Sequence, residues 1–302
     1  MKILINRKPV EGPWGGGNQF VKAIHELSRE YGFEPTNQFS EDIDLIFIID
    51  PRYDELGISI NEIAQYKAYR PQTKIVYRVN ECDARKGLEN DIDPLINVTG
   101  KVSDMCIFIS EWIRDYHIKN DWLCNLNPVI YSGTRKEYFQ PGPKINNGKT
   151  NIVTHHWSDN PLKGHDIYAK LDNWLETNED FTFTYIGRSH DRFKNSSIVP
   201  PTFGKDLGEK LGMYDVYLSA SRFDPGPNHI LESLACELPT YAHKDSGGAA
   251  EMVGKENTYK DFDELASILH KKDFKNNNCI IPTNWEKCID NYFNHMIKLF
   301  NE

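Results

Sequence analysis

The sequence predicts an α/β protein built from two doubly wound parallel sheets. Three observations carry this prediction. Short, continuously apolar runs recur along the whole chain, as expected of parallel strands covered on both faces. Segments with apolar residues at helical spacing separate them, which is the order of β-α-β units. The alternation stops across residues 140–150 (Gln-Pro-Gly-Pro-Lys-Ile-Asn-Asn-Gly-Lys-Thr), a stretch of turn formers without periodicity, and then begins again. A chain of 302 residues suits two domains of about 150 residues. The boundary is placed in this stretch, giving domains 1–140 and 141–284.

In the first half, Lys2–Ile5 reads as a strand. A Gly-rich turn, Pro13–Gly17, leads into a helix whose Phe20, Val21, Ile24, Leu27 and Tyr31 share one face, and Gly32 suits the stop after it. Asp44–Ile49, Lys74–Val79, Met105–Ile109 and Pro128–Tyr131 read as further strands. In the second half Asn151–His155 is a strand, Asp166–Leu175 a helix and Phe181–Ile186 a strand. Asp215–Ala220 follows as a strand, Asn228–Cys236 as a helix, and Pro239–Ala242 as a strand before a helix from Gly248. The last segment is the clearest helix: Trp285, Cys288, Ile289, Tyr292, Phe293, Met296, Ile297 and Phe300 keep the i, i+3, i+4, i+7 rhythm. Its other face (Glu286, Asp290, Asn291, Asn294) lacks the basic character of a lipid-binding helix.

Composition excludes several classes. Hydrophobic residues at 39% and charged residues at 26% describe a globular chain, not a disordered one. Lys plus Arg is 35 and Asp plus Glu is 44, a net charge of −9, which disfavours a nucleic-acid binder. No apolar run approaches the ~20 residues of a membrane span. The apolar start, Met1–Ile5, is interrupted at Asn6-Arg7, too early for a secretion signal. The 6 cysteines (82, 106, 124, 236, 279, 288) form no C-x-x-C pair and read as free buried thiols in a reducing, cytoplasmic compartment.

Four turns carry groups suited to a phosphorylated ligand. Gly15-Gly16-Gly17 between a strand and a helix lets backbone N–H groups approach a phosphate, with the helix dipole behind them. It is neither G-x-G-x-x-G nor a P-loop, and it fits a plain tight turn equally well. In Asp224-Pro-Gly-Pro-Asn-His-Ile-Leu-Glu232, a strand runs through a Pro/Gly loop into a helix near Asn228. That exposes helix N–H groups at the carboxyl edge of the sheet, where such sheets bind ligands. Glu232, one turn in, suits a ribose diol, and it equally suits the helix dipole. In His155-His156-Trp157-Ser-Asp-Asn-Pro-Leu-Lys163-Gly164, Lys163 precedes a helix and can meet a diphosphate as a point charge. The two histidines are consecutive on a strand, so they face opposite ways and do not read as one metal site. Ser246-Gly247-Gly248-Ala-Ala-Glu251 is a further close-approach turn at the same edge. Together the turns place ligand groups in both domains, and a cleft between the domains is the expected binding place.

These residues resemble the retaining glycosyltransferases of the GT-B fold that carry an E-x7-E signature, the group 1 or family 4 type. The matching stretches are Tyr214–Ser221, Asp224-x7-Glu232, Ser233-Leu-Ala-Cys-Glu-Leu-Pro239, Asp245-Ser-Gly-Gly248 with Glu251, His156 through Gly164, and Phe181–Arg188. Val129–Gly133, Phe139-x-Pro141 and the Gly15–Gly17 turn match more loosely. The resemblance implies two Rossmann-like domains facing across a cleft, with helix 285–302 crossing back to the amino-terminal one. It implies a nucleotide-diphosphate sugar as donor and a glycan, lipid-linked or other hydroxyl acceptor. Lys163, Asp224 and Glu232 would carry the chemistry: Lys163 on the diphosphate, Asp224 on the sugar, Glu232 on the ribose. Gly15, Gly16, Gly17, His156, Gly187, Arg188, Phe203, Gly226, Asn228, His229, Ile230 and Leu231 would complete the donor site. Asn80, Asp83 and Arg85 are placed on the acceptor side. Two departures stand out: the first acid of the signature is Asp224 and not Glu, and His156 stands where an Arg is usual nearby.

The implied reaction is glycosyl transfer with retention, in which a donor phosphate oxygen takes the acceptor proton. The family implies polysaccharide or lipid-linked glycan assembly, which allows a peripheral contact with the inner face of the membrane. No cofactor or metal is expected. The D-x-D pairs Asp42/Asp44 and Asp91/Asp93 read as solvated acids, the first at the amino end of a strand. A sugar-nucleotide epimerase on a similar scaffold would need no acceptor. A catalytically lost nucleotide- or sugar-binding module would bind donor without transfer. A dehydrogenase fits less well, because the first turn lacks G-x-G-x-x-G.

Overall fold

In a computed structural model, residues 1–11, 16–55, 57–119, 122–189, 192–276, 280 and 283–301 are described. The chain divides into two compact units. Met1–Ala84, Leu88–Gly133 and Trp285–Glu302 form the first; Arg85–Gly87 and Thr134–Asn284 form the second. The main division thus falls at Gly133 and Thr134, ahead of the 140–150 stretch.

The first unit runs β1 (Lys2–Ile5), α1 (Gly16–Leu27), β2 (Glu34–Thr36), β3 (Leu45–Ile48), α2 (Ile60–Tyr69), β4 (Lys74–Val79), α3 (Asp93–Val102), β5 (Met105–Phe108) and α4 (Glu111–Ile118). Its 5 strands pair in parallel in the order β2-β1-β3-β4-β5. Alternate strand residues enter opposite cores. Ile3, Ile5, Leu45, Phe47 and Val76 pack on one side, Leu4, Ile46, Ile48, Ile75 and Tyr77 on the other with Ile63, Ile96 and Ile113 from the helices. Both faces are therefore dry, which is why the strands read as unbroken apolar runs. Pro128–Tyr131, expected as a strand, pairs with β5 only as a bridge at Val129 opposite Phe108. Pro128 has no N–H to extend the ladder.

The second unit runs β6 (Thr150–His156), α5 (His165–Trp174), β7 (Phe181–Gly187), β8 (Ser197–Val199), α6 (Gly204–Gly212), β9 (Val216–Ser219), α7 (Asn228–Ala235), β10 (Thr240–His243), α8 (Gly248–Val253), β11 (Thr258–Tyr259) and α9 (Phe262–Lys271). All 6 strands are parallel, in the order β11-β10-β9-β6-β7-β8. Ile152, Phe183, Tyr185, Val216 and Leu218 pack against Ile167, Tyr168 and Leu171 of α5 and Leu265 and Leu269 of α9. The central pair β6 and β9 ends beside the loops that lead to Lys163 and Asp224.

The chain ends in α10 (Trp285–Lys298), which belongs to the first unit. Its Trp285, Ile289, Tyr292, Phe293 and Met296 enter the same core as Phe20 and Ile24 of α1. Phe20 lies 4.9 Å from the Tyr292 ring and 6.2 Å from the Trp285 ring. Cys82, Cys106, Cys124, Cys236 and Cys288 are buried and form no disulfide among the described residues, and Cys279 lies outside the described residues. Among the described residues no helix is long and apolar enough to cross a membrane.

Candidate functional site

The site is built at the carboxyl edge of the second sheet. After β6 the chain makes a 3-10 turn, Pro161–Lys163, capped by the Asn160 side chain, which accepts from Leu162 N–H. Gly164 ends the turn with φ +85°, and a Cβ there would lie 2.2 Å from the Ala220 carbonyl oxygen. Only glycine allows this approach, and it brings Lys163 to the loop that follows β9. The Lys163 ammonium meets Asp224 Oδ2 at 2.6 Å, with side chains 15% and 9% exposed. The Ser246–Gly248 turn fixes the backbone of Asp224. Asp224 N–H donates to Ser246 O at 3.1 Å, and Gly248 N–H donates to Asp224 O at 2.9 Å. Burial opposes ionisation of Asp224, but Lys163 and then Arg85 outweigh it and hold its carboxyl well below the usual range.

Lys163 and Asp224 line a pocket of about 100 Å³ with Arg85, Lys86, Ser158, Asn160, Leu162 and Arg222. That volume holds a phosphate group, or about three waters. Four of the lining residues are cationic and one is an acid. Arg222 meets Asp166 through two 2.9 Å contacts. The sequence reading placed Arg85 with Asn80 and Asp83; the structure groups it with Lys163 and Asp224. Asp83 instead accepts from the Asp91 and Ile92 N–H groups at 3.0 and 2.7 Å and shapes the loop before α3. Asn80 is half-buried at the end of β4.

A histidine cluster lies beside this pair. His155 Nε2 is 2.7 Å from Glu232 Oε2, and His155 Nδ1 is 3.1 Å from the Tyr217 hydroxyl. His156 Nε2 meets the Tyr168 hydroxyl at 2.8 Å, and His229 Nε2 meets Ser219 Oγ at 2.9 Å. The His156 and His229 rings stand 4.9 Å apart. Burial, then the close approach of His229 and the charge of Lys163, push the His156 pKa well below the ordinary imidazole value. Burial and Lys163 do the same for His229. Both rings are therefore neutral at pH 7. Among the described residues no group of three His, Cys, Asp or Glu side chains is set to hold a metal ion.

The other expected donor residues fall into three sets. Gly226, Asn228, His229, Ile230, Leu231 and Glu232 form the loop end and first turns of α7, and Ile230 and Leu231 turn their side chains into the core. Gly187, Arg188 and Phe203 form a ledge. The Arg188 guanidinium lies 4.1 Å over the Trp157 ring, and Trp157 packs on Phe203 at 4.8 Å. Trp157 and Phe203 are 38% and 40% exposed, so the ledge offers aromatic surface to a planar ligand. Gly187 has φ +141° and passes tightly under the His156 carbonyl oxygen. Gly16 and Gly17 are the first residues of α1 in the first unit, not a turn ahead of it, and Gly15 lies outside the described residues. Sequence reasoning missed His155 as the partner of Glu232, and Arg222 and Trp157 as site residues. An Arg two positions before Asp224 and a Trp directly after β6 were the available signals.

No family model and no curated protein matches this sequence. Solved structures do. HepE of Anabaena, solved in complex with UDP-glucose, superposes with a TM-score of 0.71 at 16% identity over 99% of each chain. The chain has the GT-B fold. Sucrose-phosphate synthase from Thermosynechococcus elongatus gives 0.69 at 13% identity, again over 99% of each chain. AviGT4, a glycosyltransferase involved in avilamycin A biosynthesis, gives 0.61 at 11% over 99% of this chain and 97% of its own. In this GT-B chain the Lys163–Asp224 pair and the α7 amino end occupy the carboxyl edge of the second Rossmann-like sheet, the edge at which α/β sheets take ligands.

Proposed function

We propose that this chain transfers a sugar from a nucleotide-diphosphate sugar to a hydroxyl acceptor, with retention of configuration and without a metal. The observation that carries the reading is the cationic pocket around Lys163 and Asp224 at the carboxyl edge of β6 and β9. Lys163, assisted by Arg85 and Arg222, would hold the diphosphate. Glu232 would take the ribose hydroxyls, Asp224 a hydroxyl of the sugar, and the Trp157–Arg188–Phe203 ledge the base. HepE, in the structure named above, binds UDP-glucose, which makes uridine diphosphates the first donors to try.

The chemistry follows from charge. As the C1–O bond breaks, its electron pair goes to the leaving phosphate oxygen and the sugar becomes oxocarbenium-like. Fixed positive groups then stabilise the departing diphosphate without reorganising. The acceptor hydroxyl attacks from the same face, and its proton passes to the leaving phosphate oxygen, so no protein base is needed. A glycan or lipid-linked alcohol is the acceptor class this reading favours.

The test is a thermal-shift panel of UDP, GDP, ADP, CMP, their sugar conjugates and NAD on wild type and Lys163→Ala. A ligand at ~100 times its dissociation constant adds about 2.7 kcal/mol. One diphosphate should raise the wild-type midpoint, and Lys163→Ala should lose the shift and at least tenfold in turnover. Stabilisation by no nucleotide, or by NAD alone, overturns the reading. Transfer is expected to persist in EDTA; loss that Mn²⁺ restores would overturn the metal-free part.

A further inference from the structure

Glu232 does not stand alone on α7. Tyr217 lies on β9 directly opposite Val153 of β6, and His155 is two residues further along β6, on the same face. Tyr217 is fully buried and His155 is 8% exposed. An ionised carboxylate only accepts hydrogen bonds, so at 2.7 Å the proton lies on His155 Nε2. In the tautomer with its proton on Nε2, the ring presents a lone pair at Nδ1, 3.1 Å from the Tyr217 hydroxyl, which can donate to it. The same hydroxyl accepts from the His155 backbone N–H at 3.2 Å, and the His155 carbonyl oxygen, at 3.4 Å, is the longer of its two acceptors. Burial pushes the Tyr217 phenol well above its ordinary value, so it remains a donor throughout the working range.

We propose that His155 is the positioning residue for the ribose-binding carboxylate. A relay from Tyr217 through His155 to Glu232 sets the imidazole tautomer from the buried end. It holds Glu232 Oε2 and leaves the other oxygen for the ribose hydroxyls of a nucleoside diphosphate. The proposal rests on the reading above, in which Glu232 takes the ribose. His155 touches no substrate; it acts through Glu232. The consequence is selectivity: the relay raises affinity for ribose over deoxyribose and leaves the diphosphate and base contacts alone.

The experiment compares binding of UDP and 2′,3′-dideoxy-UDP to the full chain, or the corresponding pair for the diphosphate the thermal panel selects. Wild type should prefer the ribose form by about tenfold or more, the scale of one charged hydrogen bond. Glu232→Gln should bind both forms nearly equally. The deciding variants are His155→Gln and His155→Asn. The Gln amide reaches the place of Nε2 and should keep most of the preference. The Asn amide reaches only the place of Nδ1 and should lose it, with affinity for the dideoxy form within about twofold of wild type. Tyr217→Phe should lose part of the preference. A merely structural tie would move the melting midpoint and not this ratio. If both His155 variants keep the wild-type preference while Glu232→Gln loses it, the positioning role is wrong and the ribose reading stands. If wild type shows no preference, or no diphosphate binds, the ribose reading fails and the relay with it.

Discussion

Lys163 and Asp224 meet at 2.6 Å with little solvent around either, and Lys163 is what keeps the buried Asp224 carboxylate ionised. Removing one should therefore be worse than removing both. Lys163→Met strands a buried carboxylate and is expected to destabilise the chain by about 3–5 kcal/mol. The double variant Lys163→Met with Asp224→Asn should recover most of that in urea unfolding, and additive losses would show that the pair is not coupled. The histidines give a pH signature. His156 and His229 have folded-state pKa values below the imidazole reference of about 6.5. Below pH 6.5 the unfolded chain takes up protons that the folded chain refuses, so stability falls as pH falls. The melting midpoint should drop between pH 6.5 and 5, with a shallower slope in His229→Gln; an unchanged slope would mean that His229 titrates normally. At this scale the sequence marked candidate residues but not whom they meet. Lys163, Asp224 and Glu232 stood in recognisable turns. His155 and Glu232 are 77 positions apart, and their contact follows from strand pairing that no local pattern encodes.

The main strands of the two sheets were legible because both faces are buried and most of their residues are apolar. Lys74–Val79 coincides with the observed strand, and Leu45–Ile48 lies within the expected run. The missed strands are short. Glu34–Thr36 contains Pro35, Ser197–Val199 is largely exposed, and Thr258–Tyr259 is only 2 residues long; all three lie at sheet edges, where the apolar signal fades. Helix α6 was missed for a different reason. It carries glycines at 204, 208 and 212, which argue against a helix by propensity. The segment 138–142 explains two of them. A Cβ at Gly208 would lie 2.0 Å from Tyr138 O, and one at Gly212 would lie 2.5 Å from Gln140 O. Propensity predicts that Gly208→Ala stabilises the helix by about 1 kcal/mol. The backbone contact predicts the opposite sign, a loss of about 1–3 kcal/mol from overpacking. A lower urea midpoint supports the contact, and a higher one removes it.

At the scale of the molecule, the first unit is discontinuous in sequence: its sheet comes from residues 1–133, and one wall of its core comes from α10. The periodicity of residues 285–300 revealed an apolar face but not the core it enters; a helix carries no address for its partner. Truncation after Asn284 should remove Trp285, Ile289, Tyr292, Phe293 and Met296 from around Phe20. The expected result is dye binding and loss of near-UV dichroism from the first unit, with nucleotide stabilisation of the second unit retained. A truncated chain with an intact cooperative melt would show that α10 is dispensable. The same discontinuity sets an order of events on the ribosome. The strands of the first sheet emerge early, but the helix that covers them is made only after residues 134–284. At about 5–20 residues per second, that leaves one apolar face of a newborn sheet waiting on the order of ten seconds. During that interval the second unit, whose strands are contiguous in the chain, has time to close. The nascent first unit is then the natural client of chaperones, and slow codons between the units would lengthen its exposure.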